Sequence, residues 1–372
     1  MIKVGLWQRN GIYYLRWRQN GKQHKISLGH NNKELAQSQA RQKEAQLAQI
    51  CKKGKFQRSL KIATLCENYL MANRRIEPAT CDLTKRVFSY LISVLGDIEI
   101  CKVGYAEAEK FQNWIIETGR AKTTANIWIK TARPAFRWAM RQKLVSCDPF
   151  DNLSLFRIGK KRVRIYSSDE FAKILAACPN ELAKARVVMA KTTGMRRSEI
   201  LNLTTDDIDF EKKTITVQAK SETKDTWAWR PKDKDFRTLP MTAGMAVMLN
   251  RLILVLPDKQ IYPMLSAERF AVIMERKRQG RLTDRLRVCP DEQWSKQFRK
   301  ILDKVGITAA KFHNMRSTCI TEWLESGLAP HEAKDLAGHA DIKTTMEHYT
   351  AVRDSVVDKA RTASEKNLAI AK

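Results

Sequence analysis

A switch in hydrophobic period constrains this chain more than any other feature. Residues 1–30, "MIKVGLWQRNGIYYLRWRQNGKQHKISLGH", alternate apolar and polar side chains in short runs separated by Asn10-Gly11 and Asn20-Gly21. Asn and Gly both tolerate positive φ, so each pair signals a two-residue hairpin turn, and the stretch reads as three short strands. On the middle strand Tyr13, Leu15 and Trp17 point one way, and Tyr14, Arg16 and Arg18 point the other. From residue 33 the period becomes helical: "KELAQSQARQKEAQLAQI" places Ala36, Ala40 and Leu47 in one stripe. A three-stranded sheet backed by one helix is predicted over 1–50, as a small module of its own.

"CKKGKFQRS" (51–59) is polar, basic and glycine-containing, as a linker is. Beyond it the pattern predicts helices over 61–74, 79–95, 105–118 and 123–145, broken at Pro78, Gly96 and Gly119. Pro134 should kink the last or divide it into two in tandem. These make an all-α domain over 59–150. A second basic linker, "FRIGKKRVR" (156–164), leads into a third domain over 160–354. There "SSDE" (167–170) is a capping box, "DIDFEKKTITVQA" and "FRTLPM" read as strands, and helical patterns return from 242. The fold class is therefore multidomain and mainly α with small β-sheets: a sheet-and-helix module, an all-α domain and a mixed, mostly helical domain. Residues 355–372 form a tail in which Val356, Val357, Leu368 and Ile370 are available for docking, although a frayed basic terminus would read the same way.

Of 372 residues, 68 are Lys or Arg against 40 acids, a formal net charge of +28. An excess this large favours a polyanionic partner. No apolar run approaches the ~18 residues of a membrane span, and the N-terminus lacks the apolar core of a signal peptide. The eight cysteines are scattered without CxxC or metal-ligand spacing, which suits reduced thiols in an intracellular protein. Tyr14, Arg16 and Arg18 make an aromatic and cationic strand face suited to phosphate and sugar, though a solvated surface would look alike. Lys160, Lys161 and Arg162 in the second linker are candidates for following a DNA backbone.

Three stretches in the last domain could carry chemistry. "KTTGMRRSEILNL" (191–203) stops one helix at Gly194 and starts another, with arginines in its first turn where backbone N–H groups also face an anion. "KFHNMRSTCITEWLESG" (311–327) places His313 and Arg316 on one helix face, with Met315, Cys319 and Trp323 anchoring the other. "PHEAKDLAG" is a short helix begun by Pro330 and stopped at Gly338, leaving His339 just beyond it. Asp341 can cap the next helix, where Ile342, Met346 and Tyr349 share a stripe that predicts a half-buried Tyr349. That placement suits an attacking phenol and a core tyrosine equally.

Together, G-x-R-x-x-E ("GMRRSE"), H-x-x-R ("HNMR") and G-H followed after ten residues by tyrosine resemble the signature of the tyrosine recombinase (phage integrase) family. The resemblance covers about residues 60–352, and the N-terminal module is similar to the arm-type DNA-binding domain of integrases that bind two classes of site. It implies a core-binding helical domain and a catalytic domain closing as a clamp on duplex DNA. Arg196 and Arg316 would clamp the scissile phosphate, His313 and His339 would complete the pocket, and Tyr349 would be the nucleophile. The family's hairpin lysine matches best at Lys232, with Lys220, Lys224 and Lys234 nearby. Ala337 stands where the family usually has leucine.

Those residue types suit transfer of a phosphodiester. Two guanidiniums offset the negative charge that repels a nucleophile, and their contacts strengthen in the transition state. A phenol, pKa about 10, must lose its proton on attack, with His313 the acceptor. The leaving 5′ hydroxyl needs a proton, from Lys232. A 3′-phosphotyrosine stores the bond energy, so neither ATP nor a metal cofactor is expected. The expected partners are double-stranded DNA at core-type and arm-type sites, a homotetramer through the tail, and DNA-bending or directionality proteins. The expected setting is the cytoplasm and nucleoid of a prokaryote or its phage. A type IB topoisomerase-like nicking and closing enzyme would use the same residues, and a non-catalytic DNA-binding relative is the reading from another class.

Overall fold

Antiparallel pairing begins where the period-two pattern places it. A computed structural model describes residues 3–19, 22–53, 60–159, 163–232, 236–349 and 361. The Asn20-Gly21 turn, linker residues 54–59, the Lys160, Lys161, Arg162 triplet and the tail apart from Arg361 lie outside the described residues. The chain divides into two compact units, Met1–Lys160 and Lys161–Lys372.

The first unit opens with β1 (Gly5–Arg9), β2 (Ile12–Gln19) and β3 (Lys22–Ser27), an antiparallel sheet in order β1-β2-β3. Asn10 and Gly11 both have positive φ, 49° and 76°, which is the backbone of a type I′ hairpin turn. Leu15 and Trp17 are buried with Val4, Ala40 and Leu47, so α1 (Lys33–Lys53) covers that face as the Ala36, Ala40, Leu47 stripe predicts. The helix runs three residues into the predicted linker. Arg16 and Arg18 face solvent on the other side. There Tyr14 packs on Trp7 across the ladder, centroids 5.4 Å apart, and the Lys25 ammonium lies 5.7 Å from the Trp7 ring.

Four helices follow: α2 (Ile62–Ala72), α3 (Pro78–Leu95), α4 (Tyr105–Glu117) and α5 (Lys122–Arg141). They enclose a second core with Leu65, Phe88, Phe111, Ile129 and Phe136 fully buried. Pro134 sits inside α5, which remains one helix and stops at Arg141, short of the predicted 145. Lys143, with φ of 58°, ends it because a left-handed residue cannot continue a right-handed helix.

The second unit is helix-rich around a small sheet. Its helices begin with α6 (Ser168–Ala177), opened by the Ser167–Glu170 capping box, then α7 (Glu181–Thr193) and the short α8 (Arg197–Leu201). Strands β4 (Ile208–Asp209), β5 (Thr214–Val217) and β6 (Arg237–Pro240) form an antiparallel sheet in that order, with Ile215 and Leu239 paired and buried. Then come α9 (Ala243–Leu254), α10 (Ala267–Arg278), α11 (Asp284–Val288), α12 (Trp294–Lys304), α13 (His313–Glu325), α14 (Pro330–Ala337) and α15 (Ile342–Tyr349). Trp227 is fully buried, stacked on Tyr262 at 4.0 Å, with its indole N–H donating to Asn202 Oδ1 at 2.8 Å. The Arg186–Asp291 ion pair is also internal, at 2.8 Å, and Arg186 donates twice more to the Met264 carbonyl. No described helix is long and apolar enough to cross a membrane.

Candidate active site

Local sequence rules position the catalytic candidates. Gly194 ends α7 in a left-handed conformation (φ 62°), which reverses the chain so that Arg196 becomes the residue preceding α8. A Cβ on Gly194 would also sit 3.2 Å from the Trp323 ring, so this corner is tight against α13. His313 and Arg316 occupy the first turn of α13, and Met315 and Cys319 anchor that helix in the core. Gly338, φ 65°, ends α14 and turns the chain into His339, while Asp341 Oδ1 accepts from the Lys343 N–H to cap α15.

Three arginines hold this last corner by three successive carbonyls. Arg237 Nε donates to the Leu336 oxygen at 2.8 Å, Arg316 to Ala337 at 2.7 Å and Arg196 to Gly338 at 2.6 Å. Helix C-termini leave such carbonyls without intrahelical partners, and cations there also meet the negative end of the helix dipole. Arg316 reaches in addition to the Gly194 oxygen at 2.6 Å, tying the two glycine corners together.

Glu199 lies beneath the arginines and is almost fully buried. Its carboxylate accepts from the Arg196 guanidinium (3.0 Å) and backbone N–H (2.7 Å), and from both terminal nitrogens of Arg237 (3.1 and 2.6 Å). Burial pushes its pKa up, but the bonds from Arg237 and the charges of Arg237, Arg196 and Arg316 more than offset it, holding the carboxyl below its ordinary value. The three arginines and this one carboxylate sum to +2. Burial and its arginine neighbours push Arg316 down to about 9, which leaves it protonated at neutral pH.

The histidines are neutral there. Desolvation, then Arg316 and Arg196, push His339 down to about 3. His313 is at the exposed lip of the site, where desolvation and the charges of Arg316, Lys311 and Arg196 push it to about 4. With Arg196 it lines a cleft of about 530 Å³ that also carries Arg197, Arg299 and Lys311. His339 Nδ1 is 2.9 Å from the Thr345 hydroxyl, and its ring stacks on His348 with centroids 6.1 Å apart.

The structure thus brings Arg196, His313, Arg316 and His339 together, and it places the Tyr349 backbone on α15, while the side chain of Tyr349 lies outside the described residues. The predicted apolar stripe of α15 is corrected: Ile342 and Met346 are each 42% exposed, whereas Thr345 and His348 are buried. The inner face is polar because the corner it packs on is polar. Lys232 is exposed in the turn before β6. Lys220 is buried in the same hairpin, its ammonium 2.6 and 2.8 Å from the Asp207 carboxylate and its backbone paired with Trp229. Sequence reasoning missed the parts played by Glu199, Arg237, Thr345 and His348. The i, i+3 step from Arg196 to Glu199 was a signal for the first, and no local signal marked the others.

The family match and the relatives give the class: a site-specific tyrosine recombinase. The chain belongs to the phage integrase family, which residues 164–355 match. It is 25% identical over 286 residues to a tyrosine recombinase XerC-like protein of Caldanaerobacter subterraneus subsp. tengcongensis, covering 72% of this chain and 70% of that one. It is 22% identical over 274 residues to the ICEBs1 integrase of Bacillus subtilis, covering 72% and 71%. Two solved structures share the fold. The Tn1549 transposon integrase in complex with circular intermediate DNA superposes with TM-score 0.63 at 18% identity, over 81% of this chain and 99% of that one. A lambda integrase dimer bound to a core site superposes with TM-score 0.59 at 18% identity, over 92% and 93%.

Proposed function

We propose that Tyr349 attacks a phosphodiester held by Arg196 and Arg316, and that the surplus positive charge around Glu199 carries this reading. The phenol oxygen forms a bond to phosphorus, the bond to the 5′ oxygen breaks, and a 3′-phosphotyrosine remains; attack by a 5′ hydroxyl reverses the step. Neutral His313 accepts the phenol proton. If Thr345 donates to His339 Nδ1, the proton of that imidazole resides on Nε2, ready for a non-bridging oxygen. A hairpin lysine protonates the leaving oxygen. Lys232 is the sequence assignment, and the burial and ladder pairing of Lys220 favour it as a second reading, although Asp207 must then release its ammonium. A bridging 5′-phosphorothiolate, whose thiolate leaves without a proton, should rescue the Ala variant of whichever lysine is the acid.

The partner is duplex DNA, and the mobile-element integrases among the relatives support integration or excision of such an element by a tetramer spanning two duplexes. The face of half-buried Tyr14 and exposed Arg16 and Arg18 would take arm-type sites, with Lys160, Lys161 and Arg162 on the backbone between domains. The domain bounds 1–50, 59–150 and 160–354, with the 355–372 tail exchanged between protomers, the accessory DNA-bending proteins and the setting in the cytoplasm at the nucleoid belong to the same proposal.

The test is a covalent trap on nicked duplexes carrying randomised sites, wild type against Tyr349→Phe. Denaturant-resistant adduct with wild type alone is expected, and the trapped DNA gives the site. Adduct with both proteins would move the nucleophile elsewhere. Relaxation of a single duplex without strand exchange would favour the topoisomerase-like activity.

A further inference from the structure

His348 takes no part in the chemistry above, yet it is buried immediately before the residue assigned as nucleophile. Ile342 and Met346 do not dock α15, since both are exposed. Among its described side chains the buried ones are Thr345 and His348, three apart and therefore on one face, and both meet His339. Thr345 does so by a hydrogen bond of 2.9 Å and His348 by a stack inclined only 15°. The Ser317 backbone of α13, one residue beyond Arg316, acts on the same ring and partly offsets the lowering of its pKa by burial and by Arg316. The His348 Nδ1 is buried without a hydrogen-bond partner among the described residues, and the ring rests on its stack with His339.

We propose that His348 is a positioning residue: with Thr345 it latches α15 onto His339 and α13, and this latch fixes where the helix delivers Tyr349. It rests on Tyr349 being the nucleophile. The mechanism is geometric. Tyr349 directly follows His348 on α15, so rotation or fraying of that turn would carry the phenol away from the phosphate, and a near-attack geometry is lost over about 1 Å. Both rings must also be neutral to remain stacked. Arg316 and His313 on α13 and Arg196 before α8 act on them, so a proton on either ring adds a cation to a cationic pocket. The latch therefore weakens as pH falls below the ordinary histidine pKa of about 6.5.

The experiment compares wild type, His348→Ala and His348→Phe in single-turnover adduct formation on nicked DNA, with DNA affinity measured beside it. The Ala variant should react at least about tenfold more slowly at pH 8 with affinity unchanged, the signature of lost positioning. Phenylalanine keeps the stack without a titrating group, so it should recover most of that rate and flatten the acid limb of the rate–pH profile by one proton. Wild-type rate in the Ala variant, or affinity falling in step with rate, overturns the latch. Should the Ala variant not fold, an acid limb in the Phe variant as steep as wild type overturns it. Hydrogen exchange of the α15 amides without DNA separates the two ideas. Faster exchange in Ala, restored in Phe, supports the latch even if Tyr349→Phe still forms adduct, and unchanged exchange refutes it.

Discussion

Two cation-rich regions of this molecule are built from similar side chains and differ in burial. On the N-terminal sheet Arg16, Arg18 and Lys25 stand in solvent beside Tyr14 and Trp7. Around Glu199, Arg316 is nearly inaccessible, and its guanidinium is held by the Gly194 and Ala337 carbonyls. An exposed cation is screened by salt within about 8–10 Å and contributes mainly to association. A buried one is preorganised, so its field needs no rearrangement when charge develops on a phosphate. The first region is built to bind and the second to react.

The sharpest way to break this contrast is to remove the carboxylate. Glu199→Ala removes the buried carboxylate that pairs with half-buried Arg196 and Arg237 and lies in the field of buried Arg316, and breaking such a buried pair costs about 3–5 kcal/mol. Urea unfolding of the second unit should show a loss of that order. A loss under 1 kcal/mol would mean that the cluster is solvated, and the contrast would fail. Next in size is Arg316→Ala, expected to slow single-turnover cleavage about 10²–10³-fold, the usual cost of one preorganised donor. The Ala337 and Gly194 carbonyls would lose their partner as well, so some stability falls with it.

Much of this site is legible in the sequence because glycine corners and helix starts are local signals. Gly194 and Gly338 announce where Arg196 and His339 must emerge, and His313 and Arg316 share a helix by spacing alone. Contacts between distant segments are not legible. Arg237 meets Glu199 across 38 residues, and nothing near either residue marks the pairing. Helical spacing placed Ile342 and Met346 on one face but could not say which face points inward, and the surroundings of His339 decided it for Thr345 and His348. The hairpin lysine stays divided between Lys232 and Lys220 because several lysines of equal propensity share one loop.

Acid should separate the regions as well. His339 and His348 are held neutral in the fold, at about 3 and about 4, whereas unfolded imidazoles bind protons below about 6.5. Between 6.5 and 4 the unfolded state therefore binds more protons, and stability falls with falling pH by at most about 1.4 kcal/mol per unit for each ring. Below the folded values this contribution is flat. Unfolding midpoints between pH 8 and 4.5 should drop for the second unit, while arm-site binding, which depends on Arg16 and Arg18, should hardly change over that range.

The smallest effect belongs to the exposed sheet. Arg16→Ala and Arg18→Ala should each weaken arm-site binding modestly and lower the slope of log affinity against log salt by about 1, because each phosphate contact releases about one counterion. Neither change should alter the rate of cleavage once a core site is saturated, since these arginines belong to the first compact unit, on the sheet face opposite the α1 core, and the Glu199 cluster belongs to the second. Suppose instead that Arg16→Ala lowers cleavage at saturation but leaves the salt slope intact. The solvated cations would then be acting on the reaction rather than on encounter, and burial would no longer be what divides binding from catalysis in this chain.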